Sequence, residues 1–222
     1  MTSLFNLHIL IDQLINYEDE LSRKPGPIEN RREQIINAAI KVFAKKGFAA
    51  STNSDVAKEA KITPGLIYHY FKSKEDLLRS AIEGNPTRKL LRSMPPELLS
   101  LPTSEFLHAV ASQFLEIAED EDFVRLIRVY LPEVIRNPRI ATAGLSTIQR
   151  VVETLEKALS EKMENGELRK GNASLHAQLF LGAIMDIVLR RQITKDPTTL
   201  RFTREEIIDS LVDVTMRGLE PR

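Results

Sequence analysis

The sequence predicts an all-α protein in two parts, a small basic helical domain followed by a larger helical one. Three observations lead there. Apolar residues recur at steps of three and four along the chain, with no credible strand pair and no internal repeat. Prolines cluster at 25–27 and again at 86–102, where they interrupt the helical pattern. Charge is unevenly spread: residues 29–89 carry twelve basic against seven acidic side chains, +5, while 1–28 carry −2 and 90–222 carry −3, within a chain of zero net charge. A basic segment of that size is the footprint expected of a nucleic-acid-binding domain, although many solvated helices carry a similar excess.

The bulk numbers set the frame. A chain of 222 residues, 42% hydrophobic and 28% charged, is globular and can bury a real core. It has no cysteine, which excludes disulfides, thiolate zinc sites and cysteine nucleophiles and fits a reducing compartment. No stretch approaches the ~18 apolar residues needed to span a membrane. The first twenty residues lack the basic start and small-residue cleavage site of a signal peptide. A cytoplasmic location without a membrane partner is expected.

The elements follow in order. Residues 1–28 form an N-terminal extension. Leu4, Leu7, Ile11, Leu14, Ile15 and Leu21 make one stripe of an amphipathic helix, and Lys24-Pro25-Gly26-Pro27 ends it in a linker. A domain over 29–84 opens with a helix from Glu29 to Lys46, carried by Ile35, Ile36, Ala39, Val42 and Phe43. Two lysines and Gly47 stop it, since cations suit the C-terminal dipole and glycine tolerates the left-handed cap. Thr52-x-x-Asp55 and Ser73-x-x-Asp76 then read as capping-box pairs, and Thr63-Pro64 places a capping hydroxyl before a first-turn proline. Short helices over 53–60 and 64–71 follow, then one from 74 to about 84. The third part, 85–222, starts with the proline-rich connector 85–102 and continues as helices over 104–119, 123–136, 139–165, 174–192 and 204–217. Pro132 should kink or split the second of these.

Two helices of about two turns, three residues apart, make a helix-turn-helix. Neither is stable alone at that length, so packing must hold them. Val56, Ala57 and Ala60 would face Ile62, Ile67 and Phe71, with Ile36, Ala39 and Phe43 beneath. The second short helix holds Gly65, Tyr68, His69 and Tyr70. A glycine there is disfavoured by ~1 kcal/mol against alanine, which makes sense where another surface must approach the backbone. Polar-tipped aromatics can hydrogen-bond phosphates or base edges, and the second helix of such a motif enters the major groove. Lys74 sits at a helix start, where the dipole repels it, so a phosphate partner is expected. For Tyr70 and Phe71 a place in the core is the competing reading.

Residues 31–78 resemble the DNA-binding domain of the TetR family of transcriptional regulators. The resemblance rests on Gly47-Phe48, on Ser51-Thr52, on Asp55-Val-Ala-x-x-Ala60, and most specifically on Gly65-x-x-Tyr-x-Tyr-Phe-x-Ser-Lys-Glu-x-Leu77. It implies that Tyr68, His69 and Tyr70 contact DNA and that Lys74 holds a phosphate. It also implies that Thr52 and Thr63 bind backbone phosphate, and that Gly65 and Leu66 lie near bases. Pro64 and Leu66 offer no side-chain donor, so base reading leans on Tyr68, His69 and methyl contacts. The chain departs from the family at the turn, where Lys61 replaces the usual glycine, so a left-handed conformation there would be strained or absent. Residues 1–28 have no counterpart in the pattern.

In the third part the resemblance is architectural, and it implies dimerisation and ligand sensing. Leu155, Leu159, Leu175, Leu179, Gly182, Ala183 and Met185 are candidates for a homodimer interface built as a four-helix bundle; ordinary intrachain core is the competing reading. Phe114, Ile127, Tyr130, Phe180 and Ile184, with His108, Gln113 and Arg128 as polar groups, are candidates for a pocket holding an apolar or amphipathic effector. No Ser/His/Asp series, phosphate loop or metal-ligand spacing stands out, so no enzyme activity, cofactor or metal is expected. The function expected is a repressor released from a palindromic operator in double-stranded DNA by a small molecule. A DNA-binding protein of the same fold without an effector is the alternative.

Overall fold

The computed structural model describes residues 27–84 and 96–221. The helix expected over 4–21 and most of the proline-rich connector lie outside them. Eleven α-helices run through the described residues: α1 (Pro27–Lys46), α2 (Asn53–Glu59), α3 (Pro64–Tyr70), α4 (Lys74–Gly84), α5 (Pro96–Leu99), α6 (Thr103–Glu119), α7 (Glu121–Arg136), α8 (Pro138–Glu164), α9 (Ala173–Val188), α10 (Pro197–Leu200) and α11 (Arg204–Leu219). A π-helical turn, Leu189–Thr194, extends α9. No strand occurs among the described residues.

Side-chain caps set most of the boundaries. Asp120, Asn137 and Asn172 each accept from a backbone N–H in the first turn of α7, α8 and α9, and Thr203 with Glu206 forms a full capping box at α11. Such caps satisfy donors that a helix start leaves unpaired. α7 does not split at Pro132. That proline lies on the exposed side of the helix, where water can meet the carbonyl it leaves unmatched.

Two apolar cores organise the molecule. The first joins Ile35, Ala39 and Phe43 of α1 to Val56 and Ala57 of α2, Ile67 of α3, Phe71, and Leu77 and Leu78 of α4. It does not close on itself. Leu126 and Val129 of α7 and Ile140 and Ala143 of α8 complete it, so packing crosses the boundary expected at residue 84. The α7–α8 crossing is close: a Cβ on Gly144 would meet the Tyr130 hydroxyl at 1.9 Å, and that hydroxyl donates to the Ala141 carbonyl at 3.0 Å. The second core unites α6, α8, α9 and α11 around Phe106, Phe114, Leu155, Leu159, Phe180, Ile184 and Ile208. Its far end is stapled by Lys162, which donates to Leu101 O at 2.6 Å and Glu167 Oε2 at 3.0 Å, while Glu167 accepts from Thr103.

The helical run Ala173–Thr194, 22 residues, is long and apolar enough to cross a membrane by length and composition. It is no unbroken apolar stretch, because His176, Gln178, Asp186 and Arg190 interrupt it. The residues responsible divide between the second core, through Ala177, Phe180, Leu181, Ile184 and Val188, and an exposed row described below.

Candidate nucleic-acid interface

The interface is built on short-range hydrogen bonds. Thr52 caps α2 in a reciprocal box: the Asp55 N–H donates to Thr52 Oγ1 at 3.1 Å, and the Thr52 N–H donates to Asp55 Oδ2 at 3.0 Å. Lys46, ending α1, donates to Asp55 Oδ1 at 2.5 Å. That ammonium bond and the Thr52 donors hold the Asp55 carboxyl down at about 2. At the start of α4 the Asp76 N–H donates to Ser73 Oγ at 3.1 Å, while Asp76 Oδ2 accepts from the Lys72 N–H rather than from Ser73. The Lys72 N–H, helped by the Arg79 guanidinium, keeps Asp76 below the usual carboxylate range.

The two turn residues have different outcomes: Lys61 takes the strained alternative, and Thr63 lacks the cap bond expected of it. Lys61 does adopt the left-handed conformation, with φ +54°, and its N–H donates to Lys58 O at 3.2 Å. The helix-turn-helix needs that bend whether or not glycine supplies it. Thr63 is extended and precedes Pro64, yet its hydroxyl makes no capping bond, so α3 starts on proline geometry alone. Thr63 and Pro64 are both exposed.

α3 presents two faces. Ile67 and the adjacent Phe71 are buried in the first core, and Arg32 of α1 lies over the Phe71 ring at 5.2 Å. Pro64, Gly65, Tyr68 and His69 face outward, and Tyr68 is 62% exposed. A Cβ on Gly65 would meet no protein atom within 4 Å, so nothing inside the chain requires glycine there. Leu66 is half-buried. Tyr70 serves both sides: it packs on the core, tilted against Phe71, and meets the His69 ring edge-to-face at 5.3 Å. α3 thus carries an outward row of two aromatics and an open glycine.

Lys74 is engaged within the chain. Its ammonium points inward, donating to the carbonyls of Phe48 at 2.7 Å, Ser51 at 3.0 Å and Ala49 at 3.2 Å, with the Phe48 ring at 4.6 Å. No sequence signal marks this arrangement, because the acceptors are backbone groups more than twenty residues away.

In the second half the candidate pocket residues separate. Phe114, Phe180 and Ile184 are buried together in the second core, and Ile127 and Gln113 are half-buried. Tyr130 instead packs against the first core, because its hydroxyl is drawn to Ala141 under Gly144. Arg128 is exposed and donates to Gln192 O at 3.1 Å, tying α7 to the π-helical turn. His108 Nδ1 lies 3.3 Å from Ser112 Oγ, and its Nε2 lies 3.6 Å from Asp209. An open groove between α1 and α7, lined by Lys41, Ala44, Lys45 and Arg125, joins residues far apart in sequence and was not foreseen.

The candidate interface residues also divide. Leu155 and Leu159 are fully buried within the chain, which removes them from any surface. Leu175, 50% exposed, and Leu179, 63% exposed, share one face of α9 with Gly182, which has open space beside it. Ala183 and Met185 are half-buried. Val214 on α11, 70% exposed, is a further apolar surface residue that sequence reasoning missed. One exposed valine in an amphipathic helix carries no signal of its own.

This architecture has counterparts among known proteins. Residues 35–81 match the model of bacterial regulatory proteins of the tetR family, and residues 105–218 match that of the AefR-like transcriptional repressor C-terminal domain. The uncharacterized HTH-type transcriptional regulator YerO of Bacillus subtilis is 38% identical over 104 residues, 45% of this chain. The aligned part spans 36% of that relative, and 38% of a second at the same identity. The HTH-type transcriptional regulator UidR of Escherichia coli is 25% identical over 70% of this chain and 81% of its own length. Among solved structures, the transcriptional regulator FadR from Bacillus subtilis in complex with stearoyl-CoA superposes with a TM-score of 0.69 at 26% identity. It covers 84% of this chain and 98% of that one.

Proposed function

Because the chain belongs to the TetR family of transcriptional regulators, we propose that it is a repressor that binds a palindromic operator as a homodimer and leaves it when a small molecule binds. The observation that carries this reading is the outward row of α3, where exposed Tyr68 and His69 flank a glycine that no protein atom crowds. Tyr68, His69 and Tyr70 read the groove, Gly65 and Leu66 lie against bases, and Thr52, Thr63 and Pro64 border the phosphate backbone. Dimer symmetry sets two α3 helices about 34–36 Å apart, one turn of DNA. The exposed face of α9 with Leu175, Leu179 and Gly182 supports pairing with a second copy, and Val214 of α11 extends the apolar surface available for it.

The effector is an apolar or amphipathic molecule held in the second half. The apolar core that Phe114, Phe180 and Ile184 form supports this, as does the likeness to a FadR structure holding stearoyl-CoA. A long-chain acyl-CoA is the first molecule to test. Release follows if ligand-bound regulatory helices favour a different spacing of the α3 pair. The function is binding, with no catalytic step.

The test is selection of binding sites from random duplex DNA, wild type beside Tyr68→Ala. An enriched palindrome that Tyr68→Ala fails to enrich supports the reading. Enrichment unchanged in Tyr68→Ala, or none by the wild type at low salt, overturns it. Release of the selected duplex by acyl-CoA, and not by free CoA, would identify the effector class.

A further inference from the structure

We propose that the acidic run Glu18-Asp19-Glu20 docks beside α3 of its own chain and competes there with DNA phosphate. The first 22 residues carry four acids, Asp12, Glu18, Asp19 and Glu20, and no lysine or arginine. They lie outside the described residues, but the place where the chain leaves them is set by α1. Arg32, five residues after Pro27 opens that helix, lies over the Phe71 ring at 5.2 Å, and Phe71 closes α3. Five helical residues rise only about 7.5 Å. The chain therefore enters α1 beside the helix that carries Tyr68 and His69.

Reach and charge both favour the contact. Glu20 stands seven residues before Pro27, a tether of up to about 23 Å. All of α3, seven residues, is about 10 Å long. The domain over 29–89 carries +5. Its acids Asp55 and Asp76 are already paired, with Lys46 and Arg79. Arg32 and Lys72 are exposed at the closing end of α3, and Lys58 and Lys61 are exposed before its start. A carboxylate and a DNA phosphate need the same cations, so one excludes the other. Attachment to the same chain replaces a bimolecular encounter by an internal one, so a weak contact suffices. A segment docked in about two-thirds of the molecules lowers operator affinity about threefold, because only the free fraction binds. Salt should weaken the docking, since exposed charges are screened within about 10 Å at 0.1 M.

This inference rests on the DNA-binding reading, and the two fail differently. The experiment compares full-length wild type with the triple variant Glu18→Gln, Asp19→Asn, Glu20→Gln, by two readouts. The first is affinity for the selected duplex at 50 and 300 mM salt. The variant should bind at least threefold tighter at 50 mM, and the difference should vanish at 300 mM. Equal or weaker binding by the variant at 50 mM overturns the proposal. The second is carbodiimide coupling of wild type without DNA, read by peptide mass spectrometry on the single-chain band of a denaturing gel. A carboxyl of residues 18–20 should be joined to Lys72 or Lys61, and the selected duplex should suppress that link. Tighter binding by the variant without the link also overturns the proposal, because the acids then only repel phosphate from a distance. The link alone decides the contact if the variant does not fold. Failure of the DNA-binding reading would show instead as a wild type and a variant that both select no duplex, and the link then still decides whether the segment docks.

Discussion

At the scale of single residues, stability and function make opposite demands on α3 and its turn. Gly65 sits in a helix with no protein atom near its missing Cβ. Alanine there should raise folding stability by up to about 1 kcal/mol, through helix propensity alone. The same Cβ would stand between the backbone and DNA, so operator affinity should fall by about tenfold, or about 1.4 kcal/mol. Chemical denaturation and operator titration of Gly65→Ala test both signs; weaker folding or unchanged affinity would refute the account. Lys61 is the converse case. Its left-handed backbone costs a side-chain-bearing residue ~1–2 kcal/mol. Glycine removes that strain but returns ~0.5–1 kcal/mol as entropy of the unfolded chain. Lys61→Gly should therefore stabilise by about 0.5–1 kcal/mol, read as a higher urea midpoint at unchanged m-value.

At the scale of elements, short helices survive here because their ends are tied down. α2 has seven residues and its stability lies in its cap, its packing and the Lys46–Asp55 bond. This makes the element acid-sensitive. The Asp55 carboxyl lies at about 2 in the folded protein, below its ordinary value of 3.8. Its contribution is fully present above about pH 4 and is lost as pH falls from there towards 2. The melting temperature of wild type should therefore converge on that of Asp55→Asn across this window and stay above it at pH 6. Parallel curves would show that the bond contributes nothing. Much of this element structure is legible in the residue order. Thr52-x-x-Asp55 and Pro64 mark the starts of α2 and α3, because capping acts over three or four residues. The bonds of Lys74 to loop carbonyls are not legible, since backbone carbonyls carry no residue identity.

At the scale of the whole molecule, the two parts share a core and hide different faces. Leu126, Val129, Ile140 and Ala143 complete the first core from α7 and α8, so a shift of these helices bears directly on the helices that hold α3. Leu155 and Leu179 show how apolar periodicity alone misassigns surface. Both fit helical stripes, yet the first is sealed inside and the second is exposed. Leu179→Lys should convert the proposed dimer to monomer in sedimentation while leaving the fold intact. Leu155→Ala should cost about 2–5 kcal/mol of stability and leave the oligomer unchanged while folded. The reverse pattern would place the interface elsewhere.

What the residue order determined, read by itself, is everything that acts locally. That covers the all-helical class, the helix-turn-helix between residues 52 and 71, the signature Gly65 to Leu77, and the aromatic content of α3. Caps, turns and spacing work within a turn or two of helix, so they are written in adjacent residues. The tertiary structure alone decided the rest: that Lys74 faces carbonyls, that Tyr130 packs on the first core and not beside Phe114 and Phe180, and that α9 rather than Leu155 and Leu159 of α8 offers apolar surface. Each of these depends on which side chain meets which across tens of residues, and burial on packing has no counterpart in one-dimensional periodicity.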